Sequence, residues 1–412
     1  MKSKDYIDKK YDVVIIGSGI VGTCIAYSIA TKSSLTVALV DKEETYGLHT
    51  SGRNSGVLHA GIYYTPNSLK ANLCIEGKNR LERWAMENKC NINQCGKLVI
   101  PRKPSDITSF ENILSNASKN GVEHHVITTQ NAKDMCSLVD CPLDIALFVP
   151  STSVCSPKQI LSKLHDELDS LPNFTFYPGE YFSNVDPATA TIYLSSNRMQ
   201  YSYLFNAAGA YASSVASKFL DTSDLQVIPF RGNYLSLSKE ISSEININLY
   251  PVPLDKQTFL GVHFSPSATP SNGISYIGPT ANLALGRENY FGLEKVDPIL
   301  TANSLTAISR MALSDNNNMR SYITGQMLPS SLKALYLEAK KLVPKLREKD
   351  VSYSDKAGIR PQLYSKHSNI LIDDFLIRQT HNTTHILNAI SPAFTASFAL
   401  SEYIVSASNL NI

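Results

Sequence analysis

No stretch of this chain stays apolar for the ~18 residues that a membrane-spanning helix requires. The opening Met1–Lys10 is charged where a signal peptide would be hydrophobic. Export and bilayer insertion are therefore not expected. A surplus of positive charge is missing as well: thirty-eight Lys and Arg stand against thirty-six Asp and Glu, a net +2. A nucleic-acid binder would gather a basic excess on one face, so that class is set aside. Metal-site spacings are absent too, since no histidine falls in H-E-x-x-H and no C-x-x-C pair occurs among the seven cysteines. Cys90/Cys95 and Cys136/Cys141 are spaced C-x4-C with no second ligand pair behind them. Reduced thiols in a cytosolic chain, and no metal, are the expectation. Charged residues make up only 18% and hydrophobic residues 43% of 412. That excludes disorder and provides apolar material for two or three domains.

What is present begins at the N-terminus. Tyr11–Ile16 is a short continuous apolar run, the pattern of a parallel strand covered on both faces. Gly17-Ser18-Gly19-Ile20-Val21-Gly22 follows directly, then small and apolar residues at helical density over Thr23–Thr31. Leu35–Val40 is a second apolar strand ending on Asp41, nineteen residues past Gly22. This βαβ unit carries every part of a dinucleotide site. Gly17 takes the tight turn, Gly19 lets the backbone approach a pyrophosphate, and Gly22 lets helix and sheet pack closely. The helix N-terminus offers free N–H groups to phosphate, and Asp41 can accept from an adenosine ribose. FAD fits the chain better than NAD, because Asn206-Ala207-Ala208-Gly209 supplies a second, distant backbone approach of small residues.

Further on, the pattern predicts strands at Gly96–Pro101, Tyr201–Ala208, Val227–Ser238, Leu249–Pro253, Thr258–Phe264 and Gly358–Asp374. Helices are predicted over Asp106–Asn120, Ser156–Leu171 and Pro392–Ser406. The longest helical stretch is Asp297–Arg347, interrupted at Ser314–Asn318. A nucleotide-binding domain interrupted by a β-rich second domain is the outline.

Thr50–Tyr64 reads Thr-Ser-Gly-Arg-Asn-Ser-Gly-Val-Leu-His-Ala-Gly-Ile-Tyr-Tyr. With the glycine fingerprint, this stretch resembles the L-2-hydroxyglutarate dehydrogenase/oxidase family, flavoenzymes of the D-amino-acid-oxidase-like superfamily. Gln94-Cys95-Gly96-Lys97-Leu98, Pro229-Phe230-Arg231-Gly232, Tyr250-Pro251-Val252-Pro253, Ala357-Gly358-Ile359-Arg360 and Asn388-Ala389-Ile390-Ser391-Pro392 extend the likeness over about residues 11–406. The resemblance implies an α/β fold: a Rossmann-like FAD-binding domain (residues 1–85, 145–220 and 345–412) with a second, mostly antiparallel β substrate domain (86–144 and 221–344). It implies non-covalent FAD, held by Gly17, Gly19, Gly22 and Asp41 at the ADP half. Ser51, Asn54, Ser55 and Gly56 would line the phosphates and approach the flavin, Gly209 would pass beside it, and Ala393, Thr395 and Ala396 would bring a helix N-terminus to the ring.

The activity implied is oxidation of a 2-hydroxy acid, first of all L-2-hydroxyglutarate to 2-oxoglutarate, by hydride transfer to flavin N5. The chain departs from the family at Arg53, Asn233, Gly286 and Ser153–Pro157. Arg360-Pro361 and Pro157 lean toward amine-oxidising relatives such as glycine oxidase, so an amino acid or secondary amine stays open as substrate. His59 and His263 are the two candidate bases, a histidine near neutral pKa being suited to removing a hydroxyl proton. Arg360 is the candidate anchor for the substrate carboxylate, because a guanidinium matches a carboxylate with two parallel hydrogen bonds. Arg231 is a candidate for a second carboxylate, and Tyr63 and Tyr64 are candidate hydroxyl donors. His49, His124, His125 and His165 sit in polar company and are expected at the surface. The electron acceptor (oxygen, a quinone or an electron-transfer protein) leaves no trace in the sequence. A cytoplasmic place is expected, with peripheral attachment to the inner membrane open.

Overall fold

A computed structural model describes residues 7–253, 261–269, 273–324 and 331–410. The apolar run at the N-terminus is the central strand of an eight-stranded sheet, Ile7–Ile16, with Val13, Val14 and Ile15 fully buried. Both neighbours are parallel to it: Val37–Val40 on one side and Asn197–Asn206 on the other. Phe174–Tyr177 extends the sheet beyond Val37–Val40, and Thr383–Asn388 pairs with the end of Asn197–Asn206. The ends of three parallel strands, at Ile16, Val40 and Asn206, thus lie side by side. Ligands of open α/β sheets bind at such an edge.

Helix Ile20–Ala30 covers this sheet and is buried along nearly its whole length, which explains its unbroken run of small and apolar residues. Helices Leu69–Glu87 and Ala393–Ser406 pack against each other and into the same core. They approach so closely that a Cβ at Gly77 would stand 2.6 Å from the Ala396 Cα.

The second sheet has ten strands and is almost entirely antiparallel. Its spine is the pair Leu225–Leu237 and Val351–Ser365, in register from Leu225↔Ser365 to Leu237↔Val351 with a shift between Asn233 and Leu235. Tyr276–Gly278, His263–Ser265, Asn248–Pro251, Lys97–Ile100, Ala146–Val149 and His125–Ile127 follow in order. A small third sheet joins Val57–Leu58, Ser153–Cys155 and Ile92–Asn93.

This pairing moves two of the expected boundaries. Ala146–Val149 and Val351–Leu371 belong to the second sheet, so the first takes up the chain again only at Leu376. The reason is partner choice: Val351–Ser365 finds its long antiparallel partner in Leu225–Leu237, a preference its own composition does not encode. The long helical stretch is Pro298–Ser314, capped by Asp297 accepting from Leu300 N at 2.9 Å, then short turns over Asn316–Tyr322 and a helix Leu332–Lys340. Residues 325–330, and residues 258–260 of the expected strand Thr258–Phe264, lie outside the described residues. His165 is not at the surface. It sits 1% exposed on the apolar face of helix Pro157–Asp169, stacked on Tyr46 with ring centres 3.8 Å apart.

Candidate active site

The glycine loop is built as its spacing requires. Gly17 has φ +105°, and a Cβ there would stand 2.5 Å from the Ala207 carbonyl oxygen. A Cβ on Gly22 would run into Gly17 O, so the first helical turn can rest on the loop only as glycine. Gly19 precedes the helix, and Ser51 Oγ accepts from Ile20 N at 2.9 Å, capping the helix from a distant segment. Asp41 Oδ2 accepts from both Ser18 N and Ser18 Oγ at 2.7 Å, and Oδ1 accepts from Glu43 N at 3.0 Å. The carboxylate is fixed in place and lines a cavity, with acceptor capacity left on Oδ1.

That cavity measures about 650 Å³ and runs without a break from this loop to the second sheet. Gly17, Gly19, Asp41, Ser51, Asn54, Ser55, Gly209, Ala393 and Thr395 line it, as do His59, His263 and Arg360. Asn54 folds its own turn, donating to Ser51 O at 2.7 Å and accepting from Gly56 N at 2.8 Å. Gly209, at φ +54°, has open space where a Cβ would point. Glycines whose Cβ positions are filled by backbone, a fixed ribose-type acceptor and a helix N-terminus fit the ADP half of a flavin dinucleotide. The continuous cavity beyond them gives its ring a place against the second sheet.

Six expected residues stand elsewhere. Gly22 and Gly56 shape the loops from behind, Gly56 at φ +79° against the Cys155 carbonyl. Ala396 is packed on Gly77 of the neighbouring helix and does not line the cavity. Arg231 does not line the cavity, although its neighbours Phe230 and Gly232 and its cross-strand partner Ile359 do. It donates to Asn289 Oδ1 at 3.2 Å. Tyr63 and Tyr64 lie beyond the lining, each with a lysine ammonium over its ring (Lys97 at 5.1 Å and Lys70 at 5.3 Å).

Arg360 is directly opposite Phe230 in the register and shares its face toward the cavity. It is half-buried, and desolvation lowers its pKa from the usual arginine value. His263 comes from the middle of the same sheet, three strands along from that of Arg360. Its Nδ1 lies 2.9 Å from Gly261 O. A carbonyl can only accept, so Nδ1 carries the proton and Nε2 keeps its lone pair. Burial drives its pKa down to about 3. His59 is held through its backbone, N donating to Thr395 Oγ1 at 3.2 Å and O accepting from Cys74 Sγ at 3.3 Å. Its Nδ1 is buried without a partner, and burial, with the Lys97 charge second, holds the ring well below the usual histidine pKa. Both imidazoles are therefore neutral at pH 7.

Two groups here escape sequence reasoning. Tyr250 lines the cavity and stacks on His263, ring centres 3.9 Å apart and 13° from parallel. Lys97 lies behind it, 1% exposed, its ammonium 4.1 Å from the Tyr250 ring centre. A lysine heading Lys-Leu-Val-Ile was the available signal, for lysine is almost never fully buried without a purpose. At the other end of the cavity, Glu288 accepts from Tyr211 Oη at 3.0 Å and pairs with Lys42 and Lys295 at 2.6 Å each. His49 lies in the same network, half-buried and lining the cavity, not at the surface as expected. Glu43, His49 and Glu288 have metal-like proximity, yet two ammonium groups already answer the Glu288 charge.

The sequence profile of the FAD dependent oxidoreductase family matches residues 12–407. A protein named L-2-hydroxyglutarate dehydrogenase, mitochondrial, from Caenorhabditis elegans is 32% identical over 96% of this chain and 93% of its own. The L-2-hydroxyglutarate dehydrogenase of Indibacter alkaliphilus is 32% identical over 95% of this chain and 96% of its own. Among solved structures, the L-alpha-glycerophosphate oxidase of Mycoplasma pneumoniae superposes with a TM-score of 0.74 at 20% identity, covering 98% of this chain and 96% of that one.

Proposed function

The chain belongs to the FAD dependent oxidoreductase family, and within it we propose that it oxidises L-2-hydroxyglutarate to 2-oxoglutarate. The observation that carries this reading is one cavity joining the dinucleotide cradle to a fixed arginine and two neutral imidazoles. The names and near-complete coverage of the relatives agree with it.

Bound FAD supplies the acceptor for two electrons, at N5 of its ring. The residues of this chain supply position and proton transfer. Arg360 pairs with the C1 carboxylate and fixes the direction of the Cα–H bond. Its rigidity matters, because a displacement of ~1 Å at the reacting carbon can slow a reaction ~10²-fold. A neutral imidazole then takes the hydroxyl proton as the carbonyl forms. His263 has the required lone pair at Nε2, and His59 is the second base within the same cavity. The start of helix Ala393–Ser406 lines the cavity with Pro392–Thr395. Its positive end favours negative charge there.

The two prolines behind the amine-oxidase reading have structural explanations. Pro157 opens helix Pro157–Asp169 at a position where a missing N–H costs nothing. Pro361 faces Pro229 across the long strand pair. All seven cysteines are unpaired. Among the described residues no helix is long and apolar enough to cross a membrane.

The test is reduction of the bound flavin without oxygen. L-2-hydroxyglutarate should bleach it, and glycine and sarcosine should not. Bleaching by the amines alone would replace this reading with the amine-oxidising one.

A further inference from the structure

A dicarboxylic substrate brings a second negative charge, and Arg231, the candidate for it in the sequence, does not line the cavity and is engaged with Asn289. Another cation stands on the right side. Lys97 projects from strand Lys97–Ile100, which runs parallel to Asn248–Pro251. This neighbouring strand carries Tyr250. The Lys97 ammonium lies 4.1 Å from the Tyr250 ring centre and 5.1 Å from that of Tyr63. Both tyrosine hydroxyls are buried, and neither has a hydrogen-bond partner. Ser265 comes near the Tyr250 hydroxyl but outside bonding geometry. A buried hydroxyl without a partner is costly, and the Lys97 ammonium lies beside both, with Cys74 and Cys95 as its other neighbours. Two orphaned hydroxyls around one buried cation describe the shape of a missing acceptor with negative charge. Tyr250 is the member of this group that borders the cavity, with its hydroxyl enclosed, so the substrate side is the nearest approach for the absent partner.

We propose that Tyr250 and Lys97 form the subsite for the second carboxylate of a dicarboxylic 2-hydroxy acid. The hydroxyl donates to the carboxylate, and the ammonium behind the ring supplies the opposing charge. The assignment rests on the hydroxy-acid reading above and adds to it the group that selects a dianion over a monoanion. Tyr63 forms the far wall of the ammonium's pocket. The stack of Tyr250 on His263 ties this subsite to a candidate base, so a correctly seated distal carboxylate also sets the distance to the reacting end.

The test compares holoenzyme variants on L-2-hydroxyglutarate and on L-2-hydroxyvalerate, which has the same carbon chain without the distal carboxylate. Lys97→Met keeps the apolar stem and removes the charge. The ratio of kcat/KM for the two acids should fall ~10–100-fold, the range of a lost charge-assisted hydrogen bond. Tyr250→Phe keeps the ring on His263 and should lower the same ratio ~3–10-fold. It serves as the decisive variant if Lys97→Met does not fold. A ratio unchanged in both variants overturns the subsite. Titration of the flavin absorbance with glutarate and butyrate separates the subsite from the reaction. If the wild type turns over neither hydroxy acid, yet binds glutarate more tightly than butyrate and loses that preference in Lys97→Met, the subsite stands and the hydroxy-acid reading falls. Equal binding of glutarate and butyrate by the wild type ends the proposal.

Discussion

Four histidines of this protein are buried as neutral rings, and together they should make it sensitive to mild acid. His59 and His263 face the cavity, whereas His165 and His385 lie in the nucleotide-binding half. The hydrogen bonds of His385 require neutrality: its Nδ1 accepts from Asn206 Nδ2 at 3.1 Å, leaving Nε2–H for Thr383 Oγ1 at 2.8 Å. Burial lowers His165 and His385 to about 4 and His263 to about 3, and takes His59 well down too. In the unfolded chain the same rings titrate near ~6.5, so between pH 7 and 5 the unfolded state takes up protons and the folded state does not. The sign follows directly. Stability is intact above pH ~6.5 and is lost as pH falls toward the folded values. Integrated from pH 7 to 5, each histidine contributes a loss of nearly ~2 kcal/mol, about 7 kcal/mol for all four as an upper bound. Lys97, lowered by burial to about 7, adds under ~0.5 kcal/mol in this window, because it charges in the folded state over the same range. Against a total of ~5–15 kcal/mol for a folded domain, such a loss is easily measured. Trp84 is the sole tryptophan and is packed near Phe398, so its fluorescence reports unfolding. The urea midpoint of the FAD-free protein should fall steeply between pH 7 and 5. His165→Phe should reduce that dependence by about a quarter, whatever it does to stability at pH 7. A midpoint equal at both pH values would refute the reasoning.

Three further outcomes are expected. Arg360→Lys should slow flavin reduction by the carboxylate substrate ~10²-fold and Arg360→Ala further, with FAD retained; loss of FAD from Arg360→Ala, with its surviving fraction reducing normally, would make Arg360 a structural partner. Gly22→Ala should weaken FAD retention at least ~10-fold on ultrafiltration, because the new methyl displaces the Gly17 carbonyl. His263→Ala should slow flavin reduction ~10²–10⁴-fold with FAD still bound if His263 is the base. Because its pKa is already near 3, the wild-type rate should show no acid limb near pH 6.5, and a limb at that pH would remove His263 from the role.

The dinucleotide site was legible in the chain because its parts are close together in sequence. Gly17, Gly19, Gly22 and Asp41 fall within one βαβ unit, and backbone atoms leave no room for a Cβ at Gly17 or Gly22. The strand Ile7–Ile16 was equally legible, since burial on both faces demands an unbroken apolar run. Elsewhere the sequence indicated residue types without their directions. Arg360 was the candidate anchor and Arg231 the candidate for a second carboxylate, with nothing local to say which lines the cavity. His165 looked polar because its neighbours in sequence are polar, while its neighbours in space are Tyr46 and Phe176.

By itself, then, the amino-acid order determined the cofactor loop, the alternation of parallel strand and helix around it, and the chemical types near the reacting end. Tertiary structure decided which side chains share the cavity. The register of Leu225–Leu237 against Val351–Ser365 places Arg360 opposite Phe230 at the cavity wall, while Arg231 pairs with Asn289 outside its lining. The pairing of Lys97–Ile100 with Asn248–Pro251 brings a lysine behind Tyr250. Side chains alternate along a strand with a period of two, so one residue of register reverses every assignment. Only strands distant in sequence set that register, and the local pattern of either strand is silent about it.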